Sequence, residues 1–106
     1  MAVLDFDAEV LRSDVPVLVG FSATWCHSCH AMERTLEEII REQAGKLKVV
    51  ELNVDDSPAV ATRFRVQTLP TLILFLQGQP VGRLTGDISQ ERLMMWLENY
   101  KEGRHD

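Results

Sequence analysis

The stretch Pro16-Val17-Leu18-Val19-Gly20-Phe21-Ser22-Ala23-Thr24-Trp25-Cys26-His27-Ser28-Cys29-His30 decides how this chain is read. Its first six residues form a continuous apolar run of strand length, as expected for a central strand covered on both faces. From Cys29 onward Met32, Leu36, Ile39 and Ile40 recur at helical spacing, with Glu33, Arg34, Glu37, Glu38, Arg41 and Glu42 on the other side. That pattern predicts an amphipathic helix stopping near Gly45. Cys26 and Cys29, the chain's two cysteines, therefore stand where a strand gives way to a helix. A helix start offers unpaired backbone N–H groups and the positive end of the macrodipole, which together stabilise a thiolate over a thiol. A sulfur held there becomes nucleophilic near neutral pH, and a second sulfur one turn later can close a disulfide with it. The motif reads as a reversible dithiol/disulfide centre.

On either side of this junction the pattern continues. Phe6, Val10 and Leu11 predict a short helical face after Asp5, ending near Ser13-Asp14. Residues 47–54 read as a second strand, and Ser57-Pro58 as N-cap and first residue of a short helix to about Phe64. Strands over 71–76 and 81–85 flank Gln77-Gly78-Gln79-Pro80 and should pair as an antiparallel hairpin with a loop of about four residues. Asp87-Ile88-Ser89 opens a last helix with Leu93, Trp96, Leu97 and Tyr100 inward, and 102–106 read as a frayed tail. The order α-β-α-β-α-β-β-α implies an α/β fold, a mixed sheet with helices on both faces.

A length of 106 residues fits one domain over 1–106, large enough for a core without staples. The hydrophobic share of 45% and charged share of 25% are those of an ordinary soluble globular chain. A net charge of −5 argues against nucleic acid as a partner, since phosphate binding needs basic clusters. The N-terminus has no basic segment followed by an apolar run, so no signal peptide is expected. The longest apolar stretches, 15–21 and 69–76, are too short to span a membrane. A cytoplasmic location follows by default, and in a reducing cytosol a close cysteine pair is catalytic or metal-binding rather than a permanent cross-link.

Several motifs recur together in one family. Phe6, Val17-Leu18-Val19 and Phe21 are followed by Ala23-x-Trp25-Cys26-x-x-Cys29, Asn53-Val54-Asp55, Leu69-Pro70-Thr71, Phe75, Gly78 and Gly86, in that order along nearly the whole chain. This series resembles thioredoxin. The resemblance implies the thioredoxin fold, a central mixed sheet of four to five strands, with the first edge strand here reduced to 1–3 or absent. It implies a protein-disulfide oxidoreductase in which Cys26 attacks and Cys29 resolves. It implies a cis Pro70 facing the disulfide, and a substrate groove lined by Trp25, Val54, Leu69, Pro70, Thr85 and Gly86. A monomer with no bound cofactor and no metal is expected, drawing electrons from NADPH through a thioredoxin reductase and passing them to disulfide-containing client proteins.

Four positions depart from the family's pattern. His27-Ser28 replaces the usual Gly-Pro between the cysteines, making both tuning candidates: a partly protonated His27 beside Cys26 would stabilise the thiolate and make the pair a stronger oxidant. Gly20 replaces a buried aspartate that usually serves the resolving cysteine. Glu51 stands where lysine is usual, and is expected to reach toward the space left by Gly20 as a base for Cys29. Ser22 replaces a second tryptophan, and Arg34 replaces a helix-kinking proline, so that helix should run straighter. These changes raise the alternative of a specialised relative with a more oxidising pair.

Other chemistries fit the same residues. Cys26-His27-Ser28-Cys29-His30 also spells the c-type haem attachment signature, with His30 as proximal ligand and Met94 or Met95 distal. Cys26, Cys29 and His30 could hold zinc, but the one further histidine available is His105 in the tail. A thioredoxin-like interaction module without turnover would keep the fold and deny the chemistry.

Overall fold

A computed structural model describes residues 5–101; the expected first strand over 1–3 and the tail over 102–106 lie outside them. Among the described residues four strands form one sheet: β1 (Val17–Ser22), β2 (Lys48–Asn53), β3 (Thr71–Leu76) and β4 (Gln79–Thr85). Their order is β2-β1-β3-β4, with β1 and β2 parallel and the other two pairs antiparallel. Three α-helices accompany them, α1 (Ser28–Glu42), α2 (Pro58–Arg63) and α3 (Gln90–Lys101).

The central strands β1 and β3 are apolar because each of their faces is covered. On one face Leu18, Leu72, Leu74 and Leu84 meet Met32, Leu36 and Ile39 of α1 and Leu93 and Leu97 of α3. On the other, Val17, Val19, Phe21, Val50, Leu52, Ile73 and Phe75 meet Phe6 and Val10, with Val60 and Phe64 packed against them. The side-chain alternation of a strand sorts these two sets. Trp96 and Tyr100 are half-buried against the first core, where the Tyr100 hydroxyl donates to the Val81 carbonyl at 2.9 Å.

Three local expectations change. The segment after Asp5 winds as a single π-helical turn, Asp7–Leu11, closed by Arg12 N–H on the Asp7 carbonyl at 2.9 Å. It is held to β2 by Lys48, whose ammonium donates to the Glu9 carbonyl at 3.0 Å and pairs with the Glu9 carboxylate. The hairpin loop is Gln77-Gly78 alone, shorter than expected, and both residues have positive φ, 50° and 80°. A two-residue turn of that hand matches strand twist, and Pro80 is tolerated because β4 is an edge strand with a register shift opposite Leu74 and Phe75. Ser57 precedes Pro58 as expected, but its side chain makes no capping bond. Helix α1 ends at Glu42, ahead of Gly45, and runs unbroken through Arg34.

Candidate active site

The cysteine pair is placed by the exit from β1. Cys26 N–H closes a turn on the Ala23 carbonyl at 3.1 Å, which swings the chain from the sheet into α1. His27 already has helical dihedrals, and the first helical bonds are short-range, Cys29 N–H to Cys26 O at 3.3 Å and His30 N–H to His27 O at 3.2 Å. Cys26 thus sits just outside the helix start and Cys29 is its second residue. Their sulfurs are bonded to each other, with Cα atoms 5.4 Å apart. Cys26 retains 7% of its surface and Cys29 none, so any approach to the pair is from the Cys26 side.

Around the pair, Ala23 is buried with both sulfurs, and Val54 and Leu69 pack against the three. The Leu69–Pro70 peptide bond is cis, and Pro70 is buried. The carbonyl of Pro70 accepts from Gly86 N–H at 2.9 Å, and Thr71 pairs in register with Thr85, so these four residues close one end of the β3–β4 ladder. Thr71 is fully buried and spends its hydroxyl on the Thr68 carbonyl. Gly86 has φ of 84°, with open space where a side chain would stand. Trp25 is 66% exposed, and its indole N–H donates to the Asp55 carboxylate at 3.0 Å. Asp55 is itself fixed, its backbone N–H bonded to the Asn53 side-chain oxygen at 2.8 Å.

The structure therefore gathers Val54 and Leu69 directly at the sulfurs, adds Pro70 beside Leu69, and ties Thr85 and Gly86 to the same strand end. Asp55 was not singled out by sequence reasoning as a site residue. The signal in the sequence was the Asn53-Val54-Asp55 motif, which puts an acceptor side chain just past β2.

The region of Gly20 differs from expectation. A Cβ built there meets Leu36 Cδ1 at 2.9 Å and Leu72 Cδ2 at 3.3 Å, and no Glu51 atom lies within 4 Å. Two leucines occupy that space, so Glu51 does not extend into it. Glu51 does pair in register with Gly20. Partial burial first, then the Glu33 and Glu37 carboxylates of α1, push its pKa above the ordinary carboxylate value. The residue as a whole stays exposed.

His27 and His30 are both exposed, with ring centroids 6.2 Å apart, and His30 Nδ1 lies 3.9 Å from the Glu33 carboxylate. Ser28 Oγ lies 3.4 Å from Cys26 Sγ. Among the described residues no group of three His, Cys, Asp or Glu is placed to hold a metal ion; His105 lies outside them. Met94 packs against the α1/α3 core and Met95 is exposed, so neither gathers with the cysteines in the cluster they form. No helix among the described residues is long and apolar enough to cross a membrane.

Comparison with known proteins agrees with this geometry. The thioredoxin family model matches residues 1–99. Thioredoxin 1 of Nostoc sp. is 41% identical over 95 residues, covering 90% of this chain and 89% of that protein. Thioredoxin of Mycobacterium tuberculosis is 46% identical over 94 residues, 89% of this chain and 81% of that one. The bifunctional thioredoxin reductase/thioredoxin of Mycobacterium leprae is 51% identical over 94 residues, which make up 20% of its length. A strand-to-helix Trp-Cys-x-x-Cys closed as a disulfide, a mixed four-stranded sheet between helices, and these matches place the chain in the thioredoxin family of thiol–disulfide oxidoreductases.

Proposed function

We propose that the chain reduces disulfides of client proteins, with Cys26 as nucleophile and Cys29 as resolving thiol. The burial asymmetry of the two cysteines carries this assignment: Cys26 keeps some exposed surface and Cys29 keeps none. The Cys26 thiolate attacks a client disulfide, forming a mixed disulfide and releasing one client thiolate. Cys29 then gives up its proton and attacks Cys26 Sγ, releasing the second client thiolate. Two electrons have passed to the client, whose thiolates take up protons, and the chain ends as the Cys26–Cys29 disulfide. An extended client segment lies across Trp25, Val54, Leu69, Pro70, Thr85 and Gly86, hydrogen-bonded to the Leu69 backbone. Glu51, its pKa raised by partial burial and by the Glu33 and Glu37 carboxylates, is the base this reading assigns to the Cys29 proton.

Re-reduction falls to a thioredoxin reductase drawing on NADPH, and the domain works in the cytoplasm as a monomer with no bound cofactor. The Mycobacterium leprae relative, named as both reductase and thioredoxin in one chain, supports that link. A more oxidising pair is the second reading, favoured by His27-Ser28 between the cysteines. A potential well above about −270 mV in glutathione buffer would select it.

Wild type should reduce insulin with dithiothreitol as donor, and Cys29→Ser should instead accumulate a covalent complex through Cys26, visible by mass spectrometry. Equal and slow alkylation of both thiols at neutral pH, with no such complex, overturns the assignment.

A further inference from the structure

Ser28 opens α1 with its hydroxyl oxygen 3.4 Å from the Cys26 sulfur, in a partly buried contact. Toward a disulfide sulfur this contact is weak, because such a sulfur carries no charge. Reduction changes the acceptor. Two electrons and one proton convert the disulfide into a Cys26 thiolate and a Cys29 thiol. A charged acceptor makes a hydrogen bond roughly twice as strong as a neutral one.

We propose that Ser28 is a catalytic residue of this centre, its Oγ–H donating to the Cys26 thiolate and holding the reactive sulfur in its charged form. The proposal rests on the exchange chemistry given above and names a group that serves it. The hydroxyl keeps its proton throughout. When Cys26 attacks, its electron pair enters the new S–S bond, the client sulfur leaves with the pair of the broken bond, and the Ser28 bond weakens with the lost charge. When Cys26 is released again, the donor is already in place.

Ser28 adds to what the helix-start N–H groups and the adjacent Cys29 thiol supply. The exit loop brings Ala23 and Trp25 to the pair; the end of β2 brings Val54 and the Asp55 carboxylate, which is bonded to the Trp25 indole. The segment before β3 brings Leu69, and α1 brings His27, His30 and Glu33, of which His30 faces Glu33. Among the described residues outside the cysteine pair, Ser28 brings a side-chain hydroxyl within hydrogen-bonding distance of Cys26 Sγ. Stabilising the thiolate stabilises the reduced pair, which makes it a better oxidant.

The test compares wild type, Ser28→Ala and Ser28→Thr. Alkylation of Cys26 by iodoacetamide is followed by mass spectrometry across pH, and the disulfide is equilibrated with glutathione. Ser28→Ala should raise the pH midpoint of alkylation by about one unit, the size of one hydrogen bond to a charged group in a partly exposed site. It should shift the glutathione equilibrium toward the disulfide by up to about tenfold, equivalent to about 30 mV. Ser28→Thr, which keeps a hydroxyl, should restore both. Unmoved midpoints and an unmoved equilibrium in Ser28→Ala overturn the proposal. So does a variant that merely loses stability equally in its oxidised and reduced forms, since that marks a helix-start role. Failure of wild type to reduce insulin strikes the exchange reading instead; the alkylation midpoints need no client, so the two failures are separable.

Discussion

At the scale of single residues, Glu51 links charge to stability. Partial burial and the nearby Glu33 and Glu37 carboxylates hold its pKa above the ordinary 4.5, so the folded chain binds that proton more tightly than the unfolded one. Stability contributed by this group is therefore present at low pH and lost as pH rises from 4.5 through the higher folded value. Glu51→Gln removes the penalty: the variant should be more stable than wild type at pH 7, by no more than about 1 kcal/mol because solvent screens an exposed carboxylate. Below about pH 4 the two should converge. Urea unfolding at both pH values measures this, and a variant less stable than wild type at pH 7 would contradict it. The cysteines illustrate the other side of residue-level reading. Their placement at a helix start, more than their spacing, pointed to the chemistry, whereas the sealing of Cys29 depends on Ala23, Val54 and Leu69, which no local pattern brings together.

Among the elements, α1 meets β1 where glycine lets Leu36 descend onto the sheet. Gly20→Ala would push its methyl to 2.9 Å from Leu36 Cδ1 and 3.3 Å from Leu72 Cδ2, within a filled core. The expected cost is about 1–3 kcal/mol from overpacking. Leu36→Ala alone should cost about 2–5 kcal/mol, since it empties a site where the wild-type residue is 2% exposed. Combined, the two should cost less than their sum by at least about 0.5 kcal/mol, because the added methyl enters the cavity the leucine leaves. Additive losses in denaturant unfolding would show that the helix and strand do not meet as described. Helix α1 itself was legible in the sequence because its apolar positions recur every three or four residues. The hairpin was legible in its strands but not in its turn. Gln77 adopts φ of 50° to make a two-residue connection, and a glutamine gives no advance notice of that.

In the molecule as a whole, two cores share one pair of strands. Leu18, Leu72 and Leu74 face α1 and α3, while Val17, Val19, Ile73 and Phe75 face α2 and the N-terminal turn. Phe75 anchors the second core through edge-on contacts with Phe64 at 5.2 Å and Phe6 at 5.7 Å. Phe75→Ala should cost about 3–5 kcal/mol. Since losing one core strips the strands that carry the other, tryptophan fluorescence and far-UV circular dichroism should still report one coincident unfolding midpoint. Separate midpoints for the two probes would show that the cores unfold independently. The amino-acid order by itself determined the run of strands and helices, the strand-to-helix seat of Cys26 and Cys29, and the redox character of that pair. Each of these follows from interactions within a few residues, such as periodic burial, a helix terminus, or two thiols one turn apart. Only the tertiary structure decided the order β2-β1-β3-β4, the meeting of Leu69 with sulfurs some forty residues earlier, the occupation of the space over Gly20 by leucine, and the contact of Ser28 with Cys26. The first three depend on how distant segments pack and register, and the last on a rotamer chosen within that packing. Local patterns limit such contacts without selecting among them.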